Sequence, residues 1–242
     1  MTLNDKTILV TGANRGIGKA LVEALLKKDV KRVYAAARKA SSLPNFGDTR
    51  VVPLELDITN EDQVRNAAKV ASDTDVLINN AGVLSFGSLL TAQKADLEYD
   101  MSVNYYGTLD VIREFVPVLE TKPDAGIVNV VTIAAFVSFP ALGGYSASKS
   151  ALWSASQGLR IELAPKGISV QTVNPGPIDT DMARDIDMDK TSPEETAANI
   201  VAGIEAGHAD IFPDGASEGM FNAWYDDYRQ LEKMVHDMTH AA

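Results

Sequence analysis

At 242 residues, 45% of them hydrophobic, the chain suits one α/β domain or two small ones and can bury a full core without a disulfide or metal staple. It has no cysteine, which removes disulfides, thiolate catalysis and cysteine-ligated metal centres and fits a reducing compartment. A net charge of −11 opposes binding to nucleic acid, anionic lipid and acidic protein carriers.

Residues 1–7 are polar and run directly into an apolar segment, so no signal peptide is expected. The most apolar stretch, 127–142, is broken by Asn129, Thr132, Ser138 and Pro140 and does not read as a membrane span. The expectation is a cytoplasmic protein. His208, His236 and His240 all fall late in the chain. His236 and His240 have a metal-capable i, i+4 spacing but no third ligand nearby, so a solvated helix face is expected and no metal.

In chain order, 7–11 reads as a buried strand, 16–28 as a helix, 32–37 and 51–56 as strands. Asn60 opens a helix to about 71, and 75–79 is a strand. A long helix is expected over 94–119, with Pro117 and Pro123 marking its end. Strand 127–132, helix 145–163, strand 168–173, helix 193–206 and a short strand 210–212 follow. A terminal helix is expected over 216–238. Short Val/Ile/Leu-rich runs alternating with helices imply βαβ crossovers and a seven-stranded parallel sheet covered on both faces. No linker, repeat or low-complexity tract interrupts the pattern. A single doubly wound α/β domain over 1–242 is expected.

A glycine-rich loop and a pair on one helix face carry the chemistry. The first strand ends in Gly12-Ala13-Asn14-Arg15-Gly16-Ile17-Gly18, and a helix begins inside that run. Glycines there permit a sharp turn and the close approach of a pyrophosphate to the helix N-terminus. Three glycines alone would be weak evidence; their place after the first strand of a doubly wound pattern strengthens it. Tyr145 and Lys149, four residues apart, share one helix face. A tyrosine has an ordinary pKa of about 10, and a neighbouring ammonium should lower it toward the working range. Small residues around the pair, Gly143-Gly144 and Ser146-Ala147-Ser148, allow a ligand close approach.

The spacing T-G-x-x-x-G-x-G resembles the glycine motif of the short-chain dehydrogenase/reductase family, and further motifs follow in the family's order. These are Asp57 after the third strand, Asn79-Asn80-Ala81-Gly82 ending the fourth, and Asn104 in the long helix. Tyr145-Ser146-Ala147-Ser148-Lys149 and Asn174-Pro175-Gly176-Pro177-Ile178-Asp179-Thr180 complete the set. The resemblance covers about the first 182 residues and implies a Rossmann-type fold. It implies cofactor contacts at Gly12, Asn14, Arg15, Gly16, Ile17 and Gly18, and at Asp57 and Ile58 around adenine. Asn80, Ala81 and Gly82, then Pro175, Gly176, Ile178 and Thr180, would flank the rest, with Tyr145 and Lys149 beside the nicotinamide ribose.

NAD-dependent members resemble one another in an acid ending the second strand, where this chain has Ala37 and then Arg38. Arg38, with Arg15, can pair a 2′-phosphate that an acid would repel, so NADP(H) is the expected cofactor. The resemblance makes Tyr145 the proton donor to a carbonyl, with Lys149 beside it and Asn104 holding a relay water. The family's serine is replaced: Thr132, thirteen residues before Tyr145, keeps the hydroxyl, and the rival Ser138 falls in a loop.

Leu84, Phe136, Val137, Leu142, Pro177 and Met182, with Phe86 and Phe139, are expected to border the substrate. Their apolar character points to an uncharged hydrophobic or aromatic ketone or aldehyde, or the corresponding secondary alcohol. Residues 183–191 correspond to the family's substrate lid. The tail beyond departs from the family, and its aromatics Trp224, Tyr225 and Tyr228 suggest packing within or between subunits. A homo-oligomer, tetramer or dimer, is expected. Two other functions compete: reduction of a 3-oxoacyl group on an acidic carrier, disfavoured by charge, and a non-catalytic NADP-binding regulator, disfavoured by the intact Tyr145 and Lys149.

Overall fold

The computed structural model describes residues 1–186 and 188–240. Seven strands are formed: β1 (Thr7–Thr11), β2 (Arg32–Ala37), β3 (Val51–Glu55), β4 (Val76–Asn79), β5 (Ala125–Val130), β6 (Ile168–Val173) and β7 (Asp210–Ile211). They build one parallel sheet in the order β3-β2-β1-β4-β5-β6-β7. The chain runs outward from β1 to β3, then returns to place β4 against the other side of β1. The order therefore reverses between β1 and β4, and a crevice opens at their carboxyl ends, where such sheets bind ligands. Pro53, which has no N–H to give, sits on the edge strand β3, where that loss is tolerated.

Alternation along β1 divides the core. Ile8 and Val10 pack on one face with Leu21, Leu25, Ile200 and Ile204, and Leu9 packs on the other with Leu77, Ile112 and Phe115. The first face is covered by α1 (Gly16–Leu26) and α6 (Pro193–Ala206), the second by α2 (Glu61–Val70), α4 (Thr108–Leu119) and α5 (Gly143–Leu163). Local chemistry sets the ends. The Asn60 side chain accepts from the Gln63 N–H at the start of α2. Ser192 accepts from the Glu195 N–H before Pro193 of α6, which closes on left-handed Gly207.

Three segments differ from the sequence expectation. The helix expected over 94–119 is α3 (Lys94–Met101), a wide π turn (Ser102–Gly107) and then α4. Pro117 lies inside the last turn of α4 instead of ending the helix. The terminal helix is two helices, α7 (Gly215–Asp226) and α8 (Tyr228–His240). They break at extended Asp227, whose carboxylate accepts from the Arg229 N–H at 3.0 Å. The break turns α8 back so that Leu231 and Val235 bury against Met220, Ile133 and Val137. β5 stops at Val130, because Thr132 starts a single 3-10 turn (Ile133–Ala135). Among the described residues no helix is long and apolar enough to cross a membrane, and no cluster of three or more metal-ligating side chains occurs.

Candidate active site

The β1–α1 turn and the end of β4 are built as one unit. The Thr11 hydroxyl accepts from the N–H groups of Asn80 and Ala81, both at 3.0 Å. The Asn80 amide donates back to the carbonyls of Thr11 and Gly12. Gly12 and Gly16 take left-handed backbone angles, φ 67° and 53°, that favour glycine. A Cβ on Gly18 would overlap the Gly12 carbonyl oxygen, so α1 can start this close to β1 only without a side chain. The first turn of α1 carries no acidic residue and no side-chain cap, leaving its N–H groups open to an anion. This cradle fits a dinucleotide pyrophosphate.

Tyr145 and Lys149 lie in the first two turns of α5, both buried. The Lys149 ammonium donates to the Val130 carbonyl at 2.8 Å and sits 5.9 Å from the Tyr145 ring centroid. A Cβ on Gly82 would approach the Asn104 amide oxygen to 3.0 Å and the Lys149 Nζ to 3.4 Å, so the end of the N-N-A-G run lies directly over both. Asn104 stands in the π turn. Its amide oxygen accepts from the Val83 N–H, and its NH2 donates to the Val83 carbonyl and the Ser148 hydroxyl. Both donors are thereby spent, so the side chain pins the loop after β4, and a relay water would have to meet the main-chain carbonyl or the remaining lone pair. Thr132 is buried and donates to the Pro175 carbonyl at 3.2 Å, which joins it to the Pro175-Gly176 loop. Ser138 is exposed in the loop beyond.

Burial dominates the electrostatics. It pushes the Tyr145 phenol up to about 12; the Thr132 hydroxyl opposes this and the Asp100 charge adds to it. Burial also lowers Lys149 from 10.5 to about 8, against the opposite pull of Asp100. Burial of the phenol thus dominates, and the expected lowering by the neighbouring ammonium is not seen in this state. At neutral pH the pair is a neutral phenol beside an ammonium.

The remaining expected residues are distributed as follows. Arg38 is exposed just past β2, and among the described residues no ion pair engages it. Arg15 is also exposed but pairs with Asp181 at 3.1 Å, and Arg184 reaches the same carboxylate at 2.6 Å. Those contacts, Arg184's first, hold the Asp181 carboxyl below its ordinary range. The Asp57 carboxylate accepts from the N–H and hydroxyl of Thr59. Ile58 and Ile178 are buried and Ile17 is part of a core face, so a ligand would meet mainly their backbone. Asn14, Ala81 and Thr180 are half-buried, with the Thr180 methyl 3.2 Å from where a Gly16 Cβ would be.

Only some of the residues expected to border the substrate gather around Tyr145. Leu84, Leu142 and Phe139 cluster with Ala134 around Tyr145. Phe136 instead packs its ring among Trp153, Phe212, Phe221 and Trp224, and Val137 packs with Met220, Leu231 and Val235. The aromatic residues of α7 and the apolar face of α8 thus hold both against the tail. Pro177 is half-buried, and Phe86 and Met182 are exposed. The 183–191 segment is pinned at its base by paired bonds between Asp179, Thr191 and Pro177; Asp187 within it lies outside the described residues. Trp224 packs inside the chain, whereas Tyr225 and Tyr228 are exposed.

Four positioning groups escape a reading of motifs. Ser148 donates to the Tyr145 carbonyl and accepts from Asn104; its place inside Y-x-x-x-K was the available signal. Asp214 accepts from the Gly176 N–H with one oxygen and the Ser217 N–H with the other, tying the Pro-Gly loop to α7. Buried Asp100 and half-buried Ser85 form a pair beside α5 that no local pattern announces.

A family model for short chain dehydrogenase matches residues 6–191. A probable short-chain type dehydrogenase/reductase, VdlC, of Helicobacter pylori is 32% identical over 220 residues, spanning 89% of this chain and 79% of its own. A short chain dehydrogenase of Burkholderia cenocepacia, solved in complex with NADP, superposes with a TM-score of 0.92 at 37% identity, over 97% of this chain and 99% of that one. A relative from Burkholderia phymatum, solved in complex with NAD, has a TM-score of 0.84 at 21% identity, over 95% and 96% of the two chains.

Proposed function

The chain belongs to the short-chain dehydrogenase/reductase family, and from that premise we propose that it is an NADPH-dependent reductase of uncharged hydrophobic or aromatic ketones and aldehydes. The observation that carries this is the meeting of Tyr145, Lys149 and Thr132 beside the glycine cradle. Membership makes it a nicotinamide-linked oxidoreductase acting between C–OH and C=O; the cofactor preference and substrate class are the finer parts of the proposal.

The open N–H groups of α1 and the glycines at 12, 16 and 18 would hold the pyrophosphate, with Asn14, Asp57 and Ala81 lining the adenosine side. Arg38 would take the 2′-phosphate as a planar bidentate donor, and Arg15 would join it by exchanging Asp181 for the phosphate. The NADP-bound B. cenocepacia relative supports this preference. When bound, the nicotinamide supplies the hydride. Everything else is done by the protein's own groups. The Tyr145 hydroxyl gives its proton to the carbonyl oxygen. The Thr132 hydroxyl turns from the Pro175 carbonyl to donate to that same oxygen and polarise it. Lys149, protonated at neutral pH, stabilises the phenolate left behind and hydrogen-bonds the ribose. Asn104 holds the loop over the pair and offers its carbonyl to the relay. A phenol held neutral favours carbonyl reduction at neutral pH, and alcohol oxidation should have a more alkaline optimum.

The apolar wall of Leu84, Phe139 and Leu142 suits a hydrophobic ketone, with 183–191 acting as lid in a single functional domain. The chain is proposed to work as a cytoplasmic homo-oligomer, tetramer or dimer, which size-exclusion with light scattering will distinguish. The test of function is NADPH oxidation over ketones, aldehydes and a 3-oxoacyl thioester, with NADH as control. Faster turnover of hydrophobic ketones with NADPH is expected. Preference for the thioester would replace the substrate class. No turnover with intact NADPH binding would point to a regulator.

A further inference from the structure

Two side-chain charges near the site are buried together, and the proposed chemistry uses only one. Lys149 belongs to it; Asp100, at the end of α3, is fully buried and does not. One oxygen of Asp100 accepts from both the N–H and the hydroxyl of Ser85, at 3.1 and 2.9 Å. Its other oxygen has no hydrogen-bond partner among the described residues. That free oxygen lies against the first turn of α5: a Cβ on Gly144, the residue before Tyr145, would stand 3.2 Å from it. A buried carboxylate with an unpaired oxygen is costly, and a site that keeps one needs something to compensate it. Here the compensation on hand is the start of α5, whose dipole favours an anion, and the ammonium of Lys149 one turn on.

We propose that Asp100 is a positioning residue of the proton-transfer pair, a buried counter-charge fixed by Ser85 that keeps Lys149 as an ammonium and Tyr145 as a phenol. This rests on Tyr145 and Lys149 being that pair. The ionisable groups acting on Asp100 are Asp96, one turn earlier on α3, and Lys149 on α5, and Asp100 in turn acts on Tyr145. Burial pushes the Asp100 carboxyl up; the Ser85 hydrogen bonds hold it down, and Lys149 acts with Ser85. Its negative charge in turn raises both Lys149 and Tyr145. The ion therefore favours the protonated pair that carbonyl reduction requires, and its loss should tilt the enzyme toward alcohol oxidation at a given pH.

The test is Asp100→Asn, which keeps an acceptor for Ser85 and removes the charge, with Asp100→Val as a second neutral variant should the amide not fold. Two readouts are taken. One is the pH profile of carbonyl reduction and alcohol oxidation. The other needs no turnover: the pH at which the stability difference between each protein and its Lys149→Met counterpart begins to close. Both midpoints are expected to move to lower pH by roughly half a unit to one unit, the size of effect a nearby buried charge exerts. Unmoved midpoints, whatever the loss of rate or stability, would overturn the role of Asp100. If the stability midpoint moves while no carbonyl is reduced, the counter-charge stands and the proposed function fails instead.

Discussion

Lys149→Met should stabilise the fold while abolishing turnover. Lys149 is buried, and its fall from 10.5 to about 8 measures how poorly the site solvates its charge. At about 1.4 kcal/mol per unit, that gap corresponds to roughly 3 kcal/mol carried against folding at neutral pH. Methionine has a similar reach without charge, but it leaves the Val130 carbonyl without its donor, a loss of about 1 kcal/mol. The net expectation is a gain of about 2 kcal/mol at pH 7, or roughly 4–8 °C in Tm for a chain of this size. Linkage fixes the pH dependence. Between about 8 and 10.5 the folded wild type holds fewer protons at this site than the unfolded chain, so its stability rises with pH. The advantage of Lys149→Met is full below pH 8 and shrinks above it. Urea unfolding of both proteins at matched concentration, at pH 7 and pH 9.5, measures it. A variant less stable at pH 7, or a gap that does not narrow with pH, would refute the reasoning.

Other outcomes follow from the same geometry. Arg38→Asp should lower NADPH preference by at least tenfold in kcat/KM and improve NADH use, because an acid repels the 2′-phosphate and accepts from ribose hydroxyls. Thr132→Val should reduce kcat by roughly 10²–10³ with NADPH binding unchanged, whereas Thr132→Ser should retain most activity; full turnover in the valine variant removes Thr132 from the mechanism. Carbonyl reduction should decline as pH rises through about 8, as Lys149 loses its proton, and alcohol oxidation should not decline with it. Gly18→Ala should lose NADPH binding or fold poorly, since its Cβ would collide with the Gly12 carbonyl oxygen; equilibrium dialysis and thermal melts check this.

Strand positions and the glycine turn are legible in the sequence because short continuous apolar runs and closely spaced glycines are local signals. The strands at Thr7–Thr11, Arg32–Ala37 and Ile168–Val173 fall where the apolar runs do. The π turn is not legible in local helix spacing; within it Asn104 bonds Val83 and Ser148, which are distant in sequence. The break at Asp227 is similarly hidden, as aspartate is ordinary on an exposed helix and only the docking of Leu231 and Val235 requires the turn. Asp100 reads as one more acid in a charged helix, and its burial follows from Ser85 and Gly144, which are distant in sequence. Phe136 and Val137 lie next to the chemistry along the chain, yet the tail claims them in space. The expected site residues Tyr145, Lys149 and Thr132 come together because each lies near the end of a regular element, whose mutual placement the sheet order dictates.

The most direct test of the central claim compares wild type with Tyr145→Phe. NADPH binding is followed by its fluorescence, and NADPH consumption is followed with a hydrophobic aromatic ketone at pH 7. Removing only the hydroxyl should leave binding intact and lower turnover by roughly 10²–10⁴, the contribution of a positioned proton donor. A phenylalanine variant that reduces the ketone at the wild-type rate would contradict the assignment of Tyr145 as the acid.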